Sequence, residues 1–166
     1  MKKFGTAVIL AGGKSTRMGF DKQLLRINER RLIDSLRKKL KKEFNEIIVV
    51  TNKSEYYIGL TDRITKDIIP GKGPLSGIHA GLVEASSKYV YFVACDMPNI
   101  NLDYIRFMKK KMENMDVKAC ITKYGEWIEP FNAFYSKDMI KDIEKHLLKD
   151  RKSVNSLIGK LPVCYI

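Results

Sequence analysis

The chain has 166 residues, of which 45% are hydrophobic and 30% charged, a balance typical of one folded domain with its own core. No apolar run reaches the roughly 18 residues of a membrane-spanning helix, and the apolar stretch behind Met1 is too short for a signal peptide. We therefore expect a cytoplasmic protein without a membrane partner. The net charge of +12 suits an anionic ligand, and because no zinc-finger spacing or RNA-binding aromatic motif accompanies it, no nucleic-acid partner is expected.

The predicted elements alternate between short apolar strands and amphipathic helices. Strands are predicted over residues 6–10, 47–51, 64–68, 89–95, 117–122, 131–135 and 162–166. Helices are predicted over residues 32–40, 76–85, 102–113, 138–148 and 153–158. This alternation predicts an α/β fold over residues 1–166, a single-domain, Rossmann-like three-layer α/β/α sandwich with a mostly parallel, mixed sheet. In such sheets, ligands bind outside the carboxyl ends of the strands.

The loop after the first strand carries the residues typical of a phosphate-binding turn. Glycines allow backbone N–H groups to approach phosphate oxygens closely, and cations then neutralise those oxygens. A Walker A motif needs a glycine five residues before its last one, and that position is Val8, which argues against a P-loop ATPase. The glycines and cations concerned are Gly12, Gly13, Lys14, Arg17, Gly19 and Lys22.

Two carboxylates end predicted strands at the edge where ligands bind. Asp96 directly follows the apolar run of residues 89–95, and Mg²⁺ is the natural partner of one carboxylate combined with phosphate oxygens. The alternative is a turn or cap before Pro98. Asp67 closes the third strand in the same way, and it could contact a ribose or a base, or only cap a turn.

Three motifs in this order resemble the molybdenum cofactor guanylyltransferase family over nearly the whole chain. They are Leu10-Ala11-Gly12-Gly13-x-Ser15-x-Arg17-Met18-Gly19-x-Asp21-Lys22, Gly73-Pro74-Leu75-Ser76-Gly77-Ile78 and Cys95-Asp96-Met97-Pro98. The segment Glu129-Pro130-Phe131-Asn132-Ala133-Phe134-Tyr135 is similar to a later strand of the family. Family members continue past the last strand with an Asn-rich segment and a closing helix, so the resemblance implies that residues 1–166 lack this C-terminal segment.

The resemblance implies a nucleotidyltransferase of the glycosyltransferase-A-like type, with GTP as donor, molybdopterin as acceptor and Mg²⁺ as cofactor. It implies three catalytic residues, Arg17, Lys22 and Asp96, the last of which is also the metal ligand. The implied nucleotide-binding residues are Leu10, Ala11, Gly12, Gly13, Lys22, Asn52, Asp67, Gly73, Pro74, Leu75, Gly77 and Asp96. A pterin-delivery protein is a further expected partner, and the chain is expected to be a monomer or a weak homodimer.

Two other functions stay open on the sequence. The first is a related nucleotidyltransferase of the same fold that uses CTP or another triphosphate. The second is a non-catalytic module that binds nucleotides or nucleic acids. Guanylyl transfer to a phosphate needs no general base, because a phosphate whose second pKa is about 6 is already largely ionised at neutral pH. We therefore expect His79 and His146 to be structural or surface residues.

Overall fold

A seven-stranded mixed sheet forms the centre of the computed structural model, which describes residues 1–13, 19–60 and 62–166. In chain order the strands are β1 (Phe4–Leu10), β2 (Arg26–Ile27), β3 (Arg30–Arg31), β4 (Glu46–Val50), β5 (Arg63–Thr65), β6 (Tyr89–Ala94), β7 (Ala119–Tyr124), β8 (Trp127–Ser136) and β9 (Val163–Tyr165). The sheet has the order β5-β4-β1-β6-β8-β7-β9, and β2 and β3 form a separate hairpin. Among the described strands of the sheet, β8 alone runs in the opposite direction, and the other six are parallel to one another.

Helices cover both faces of the sheet. They are α1 (Leu32–Leu40), α2 (Pro74–Glu84), α3 (Leu102–Met112), α4 (Ile140–Leu148) and α5 (Val154–Ile158). Alternate residues of β1 point to opposite faces, so Ile9 packs in one core with residues of α1 and α3, while Val8 packs in the other with residues of α2, α4 and α5. The predicted three-layer α/β/α sandwich is confirmed.

Most elements begin and end within two residues of the prediction, and three differ in a way that bears on the fold. The third strand was predicted over residues 64–68 but ends at Thr65, because the chain then turns into the wall of a cavity. The strand predicted over residues 131–135 begins earlier, at Trp127, because it pairs with β7 in a hairpin whose turn contains Gly125 with φ 59°. The hairpin of β2 and β3 was not predicted, since its turn residues are Asn28 and Glu29 rather than the usual Asn-Gly pair.

The carboxyl ends of β1 and β6 meet at the point where the chain reverses its direction across the sheet. Leu10 at the end of β1 lies beside Ala94 at the end of β6. From β1 the chain passes through α1 to β4 on one side, whereas from β6 it passes through α3 to β7 on the other. Open α/β sheets bind their ligands at such a switch point. Within the described residues, no helix is long and apolar enough to cross a membrane.

Candidate active site

A cavity of about 340 Å³ lies at the switch point, between the ends of β1, β4 and β6 and the first turns of α2. We call it the first cavity. Nine residues predicted to bind the nucleotide line it: Leu10, Gly12, Gly13, Lys22, Asp67, Gly73, Pro74, Gly77 and Asp96. These residues come from three loops that are far apart in the sequence, so the structure brings the three predicted motifs together.

Lys22 and Asp96 form an ion pair in the first cavity. The Lys22 Nζ lies 2.6 Å from Asp96 Oδ2, and both side chains remain partly exposed to the cavity. Lys22 begins a short 3₁₀ helix (Lys22–Leu24) that is capped by the side chain of Asp21, while Asp96 follows the end of β6. Its hydrogen bond to Asp96 raises the pKa of Lys22, so the ammonium stays charged at neutral pH. The pair places a cation and a carboxylate side by side at the carboxyl-terminal edge of the sheet.

Asp67 is a second carboxylate in the wall of the first cavity. Its Oδ2 accepts a hydrogen bond of 3.4 Å from Asn52 Nδ2, which comes from the loop after β4. Burial raises the pKa of Asp67 above its ordinary value, and the bond from Asn52 offsets only part of this effect. A half-buried carboxylate with one weak internal donor can accept hydrogen bonds from a ligand.

The amino end of α2 points at the first cavity. Gly73, with φ 68°, caps the helix in a conformation that favours glycine, and Pro74 occupies its first turn. Gly77 lines the cavity one turn later, and a Cβ at this position would lie 2.9 Å from the Leu10 side chain. The absence of a side chain at Gly77 therefore allows α2 to lie close to β1. The partial positive charge of a helix amino end favours a negatively charged ligand here.

A second cavity of about 510 Å³ adjoins the first. Asn52, Lys53 and Gln23 line it, and the two cavities share Gly12, Gly13, Asp67 and Gly73. Lys53 Nζ lies 2.7 Å from Asp21 Oδ2. Asn52, which was predicted to bind the nucleotide, lies in the second cavity.

Two predicted site residues that the structure describes do not line either cavity. Ala11 and Leu75 are buried in the core, with 3% and 1% of their surfaces exposed. The backbone N–H of Ala11 donates to the Val50 carbonyl oxygen at 2.9 Å, and this bond joins the end of β1 to the end of β4. Arg17, predicted to be catalytic, lies outside the described residues, as does Lys14.

Seven further residues line the cavities and were not predicted from the sequence. They are Val50, Ala94, Cys95 and Phe131 in the first cavity, and Gln23, Lys53 and Gly71 in the second. Val50 and Ala94 are the last residues of their strands, and that position was the signal that could have identified them. Burial raises the pKa of the Cys95 thiol to about 11, so it stays protonated and is a poor nucleophile.

Neither histidine lines the two cavities. His79 is a buried residue of α2 and contacts Glu144 of α4, with His79 Nε2 3.0 Å from Glu144 Oε1. His146 Nε2 lies 2.9 Å from the Ser156 hydroxyl of α5. Both imidazoles therefore join helices on the same face of the sheet, away from the Lys22–Asp96 pair.

Comparison with known proteins identifies close relatives of the chain. Residues 7–163 match the family model of the MobA-like NTP transferase domain. A probable molybdenum cofactor guanylyltransferase of Peptoclostridium acidaminophilum is 55% identical over 99% of this chain and 77% of the relative. The molybdenum cofactor guanylyltransferase of Syntrophotalea carbinolica is 51% identical over 99% of this chain and 78% of the relative.

The fold is similar to that of solved structures. Molybdopterin-guanine dinucleotide biosynthesis protein A from Archaeoglobus fulgidus superimposes with a TM-score of 0.85 over 97% of this chain and 82% of that protein, at 22% identity. A nucleotidyl transferase from Methanothermobacter superimposes with a TM-score of 0.75 at 18% identity, over 98% of this chain and 87% of that protein. The sheet and its helices are therefore an arrangement found in nucleotidyltransferases.

Proposed function

Because the chain belongs to the MobA-like NTP transferase family, we propose that it transfers GMP from GTP to the terminal phosphate of molybdopterin. This reaction releases pyrophosphate and forms the guanine dinucleotide form of the cofactor. The Lys22–Asp96 pair carries the proposal, since it places a cation and a carboxylate 2.6 Å apart in the cavity at the switch point. Phosphoryl chemistry needs such opposite charges, because phosphates and their metal ions must be held together.

The two cavities suit the parts of GTP differently. Apolar side chains of Leu10, Val50 and Phe131 line the first cavity and can contact the flat faces of a base. The Asp67 carboxylate in its wall can accept hydrogen bonds from the N–H groups at the edge of guanine, which cytosine and adenine present differently. Gly12 and Gly13, shared by both cavities, would lie along the phosphates.

Asp96 could supply one of the ligands of a Mg²⁺ ion. Among the described residues there is no cluster of three or more His, Cys, Asp or Glu that could hold a metal ion by itself. Mg²⁺ is commonly bound by one or two carboxylates together with phosphate oxygens and water, and the half-exposed Asp96 carboxylate meets that requirement. When bound, the ion would offset the negative charge of the triphosphate.

The reaction needs positioning and charge neutralisation from the chain. An oxygen of the acceptor phosphate forms a bond to the α-phosphorus of GTP, and the bond from that phosphorus to the bridging oxygen breaks. Pyrophosphate leaves with the electron pair of the broken bond. Lys22 would neutralise phosphate oxygens as the leaving group gains charge, and the amino end of α2 would add its partial positive charge. The acceptor phosphate is already ionised, so no residue has to remove a proton.

The proposed reaction also implies the molecules with which the chain interacts and the cell compartment in which it acts. The acceptor is molybdopterin, supplied by a pterin-delivery protein, and the reaction takes place in the cytoplasm. A monomer or a weak homodimer would suffice, because the described residues of one chain line both cavities.

Thermal unfolding with different nucleotides tests the choice of GTP. At a concentration of GTP 100 times its Kd, binding should stabilise the protein by about 2.7 kcal/mol, which raises Tm by about 5–10 °C. CTP and ATP at the same concentration, each with Mg²⁺, should raise Tm clearly less. A larger shift with CTP or ATP would contradict guanylyl transfer, and no shift with any nucleotide would contradict a nucleotide site.

A further inference from the structure

The hairpin of β7 and β8 extends past the end of β6, at the edge of the sheet where Asp96 lies. Val93 of β6 pairs with Asn132 of β8, and residues 127–131 lie beyond this last pair. At about 3.3 Å per residue, they reach on the order of 15 Å past it. Phe131, at the base of this extension, lines the first cavity together with Asp96. The hairpin therefore projects from the wall of the first cavity.

Two aromatic residues, which we call the aromatic pair, lie at the tip of the hairpin. Tyr124 and Trp127 are directly paired across the turn, so their side chains lie on the same face. The exposed fraction is 83% for Tyr124 and 57% for Trp127. Within the described residues, neither ring contacts another aromatic ring or a cation. Phe107 and Tyr165, the other exposed aromatic residues of the described helices and strands, each have a lysine over the ring.

The aromatic pair lies on the face of the sheet that α3 covers. Side chains alternate along β7, so Tyr124 points to the same face as Thr122. The Thr122 hydroxyl lies 2.7 Å from the Tyr104 hydroxyl of α3, which identifies this face. The loop that contains Asp96 connects the end of β6 to α3, so it leads to the same face. The aromatic pair and the Asp96 loop therefore share one edge and one face of the sheet.

The donor nucleotide would lie on the other side of β6. The residues that line the second cavity follow β1, β4 and β5 in the chain. In the sheet order, these three strands lie on one side of β6, whereas β8 and β7 lie on the opposite side. In the proposed reaction the acceptor phosphate attacks beside Asp96, so the rest of the acceptor extends over the side that the donor leaves free. The aromatic pair is located on that side.

We propose that Tyr124 and Trp127 bind the pterin ring of the acceptor by stacking and so hold its phosphate beside Asp96. This role rests on the proposed function, because a pterin acceptor defines the ligand. Exposed aromatic rings bind flat heterocycles, and each stacked ring contributes about 1–3 kcal/mol. The pair would determine the affinity for the acceptor and leave the rate of transfer unchanged, since it lies away from the reacting atoms.

The fluorescence of Trp127 tests this role directly. Trp127 is the only tryptophan of the sequence, so its emission can be excited selectively. Pterin rings absorb light in the range of tryptophan emission, and a stacked pterin should therefore quench it. Titration of the intact chain with molybdopterin, in buffer with Mg²⁺, should give quenching that saturates. Tyr124→Ala should shift this titration to a molybdopterin concentration about 5-fold higher, because one of the two stacking rings is lost.

Steady-state kinetics of pyrophosphate release separate the acceptor from the donor. Trp127→Ala should raise KM for molybdopterin about 10-fold, the factor that corresponds to about 1.4 kcal/mol of lost stacking. KM for GTP and kcat should stay unchanged, and Trp127→Phe should recover most of the affinity. Phe107→Ala is the matched control, because Phe107 is an exposed aromatic residue in the middle of α3, and it should keep the unmodified KM values.

Three results would overturn the role of the aromatic pair. The first is an unchanged KM for molybdopterin in both Trp127→Ala and Tyr124→Ala. The second is an equal rise in KM for GTP, which would show that the pair acts on the donor or on the fold. The third is a dimer that dissociates in Trp127→Ala while KM is unchanged, measured by sedimentation, which would assign the surface to contact between copies of the chain.

Failure of the proposed function gives a different result. If the unmodified chain released no pyrophosphate in the presence of molybdopterin, guanylyl transfer would be contradicted. Saturable quenching of Trp127 by molybdopterin in that same chain would still support a pterin site at the hairpin. Acceptor-dependent release without any quenching would contradict the pterin site and leave the proposed function in place.

Discussion

Lys22 and Asp96 show how opposite charges are kept together at a partly exposed site. Their contact of 2.6 Å is a charge-assisted bond, and such a bond between half-exposed groups contributes little to stability. Its value is that it holds the ammonium beside the carboxylate where, in the proposed function, phosphates and Mg²⁺ also bind. Both residues were predicted from the sequence motifs. Their distance was not predictable, because it depends on the sheet that brings the loops after β1 and β6 together.

Asp67 is expected to lower stability at neutral pH in exchange for ligand binding. Burial raises its pKa, so its contribution to stability is fully present below its ordinary pKa of 3.8 and is lost as pH rises through the raised value. At pH 7, Asp67→Asn should therefore raise Tm, and the difference should vanish as pH falls towards 3.8. The same variant should weaken GTP binding about 5-fold, since a neutral acceptor is about 1 kcal/mol weaker than a charged one.

Thermal unfolding between pH 3.5 and about 8 and a GTP titration measure both effects. Asp116→Asn is the control, because the Asp116 side chain is 95% exposed and lies far outside both cavities. A lower Tm for Asp67→Asn than for the unmodified chain at pH 7 would contradict the pKa argument.

Helix α2 is the element that joins the core to the site, and its glycines allow it to lie against the sheet. A Cβ at Gly81 would lie 2.7 Å from Phe92 Cε1 and 2.9 Å from Val8 Cγ1. Gly81→Ala should therefore destabilise the protein by about 1–3 kcal/mol, because overpacking outweighs the better helix propensity of alanine. The loss is measured by urea unfolding.

Gly159 offers a matched control for Gly81. It has φ −61° at the end of α5, and the nearest atom to an added Cβ is the Asn155 carbonyl oxygen at 3.4 Å. Gly159→Ala should leave stability unchanged or raise it by about 0.4–1 kcal/mol, because alanine restricts the unfolded chain. If Gly81→Ala were as stable as Gly159→Ala, the packing of α2 on β1 and β6 would be different from the one described.

The elements were predictable wherever burial alone decides the structure. The central strands are continuous apolar runs since both of their faces are covered, and they were predicted within two residues of their bounds. The β7–β8 hairpin extends past Phe131 to Trp127, and the polar residues near its turn gave no apolar run to mark it. These residues belong to the strand because they pair with β7, and the sequence pattern does not specify such pairing.

The first cavity as a whole was largely predictable, because strand ends in an α/β sheet meet at one edge. Nine predicted residues line it, and they lie at the end of β1 or between the ends of β1, β5 and β6 and the first turns that follow them. Phe131 was not predicted to be in the site, since it belongs to the antiparallel strand β8, whose arrival beside β6 depends on the sheet order. Gln23, which lines the second cavity, was not predicted because the hydroxyl groups that hold its side chain lie 28 and 34 residues away in the sequence.

Pyrophosphate release tests the central claim, guanylyl transfer at the Lys22–Asp96 pair, most directly. With GTP, Mg²⁺ and molybdopterin, the chain should release pyrophosphate at a rate that depends on the acceptor, and CTP in place of GTP should give little release. Asp96→Asn should lower kcat by at least about 10²-fold, as expected when a group that organises transition-state charge is lost. Asp116→Asn should keep the unmodified rate. Acceptor-dependent release with CTP alone, or unchanged turnover in Asp96→Asn, would contradict the account.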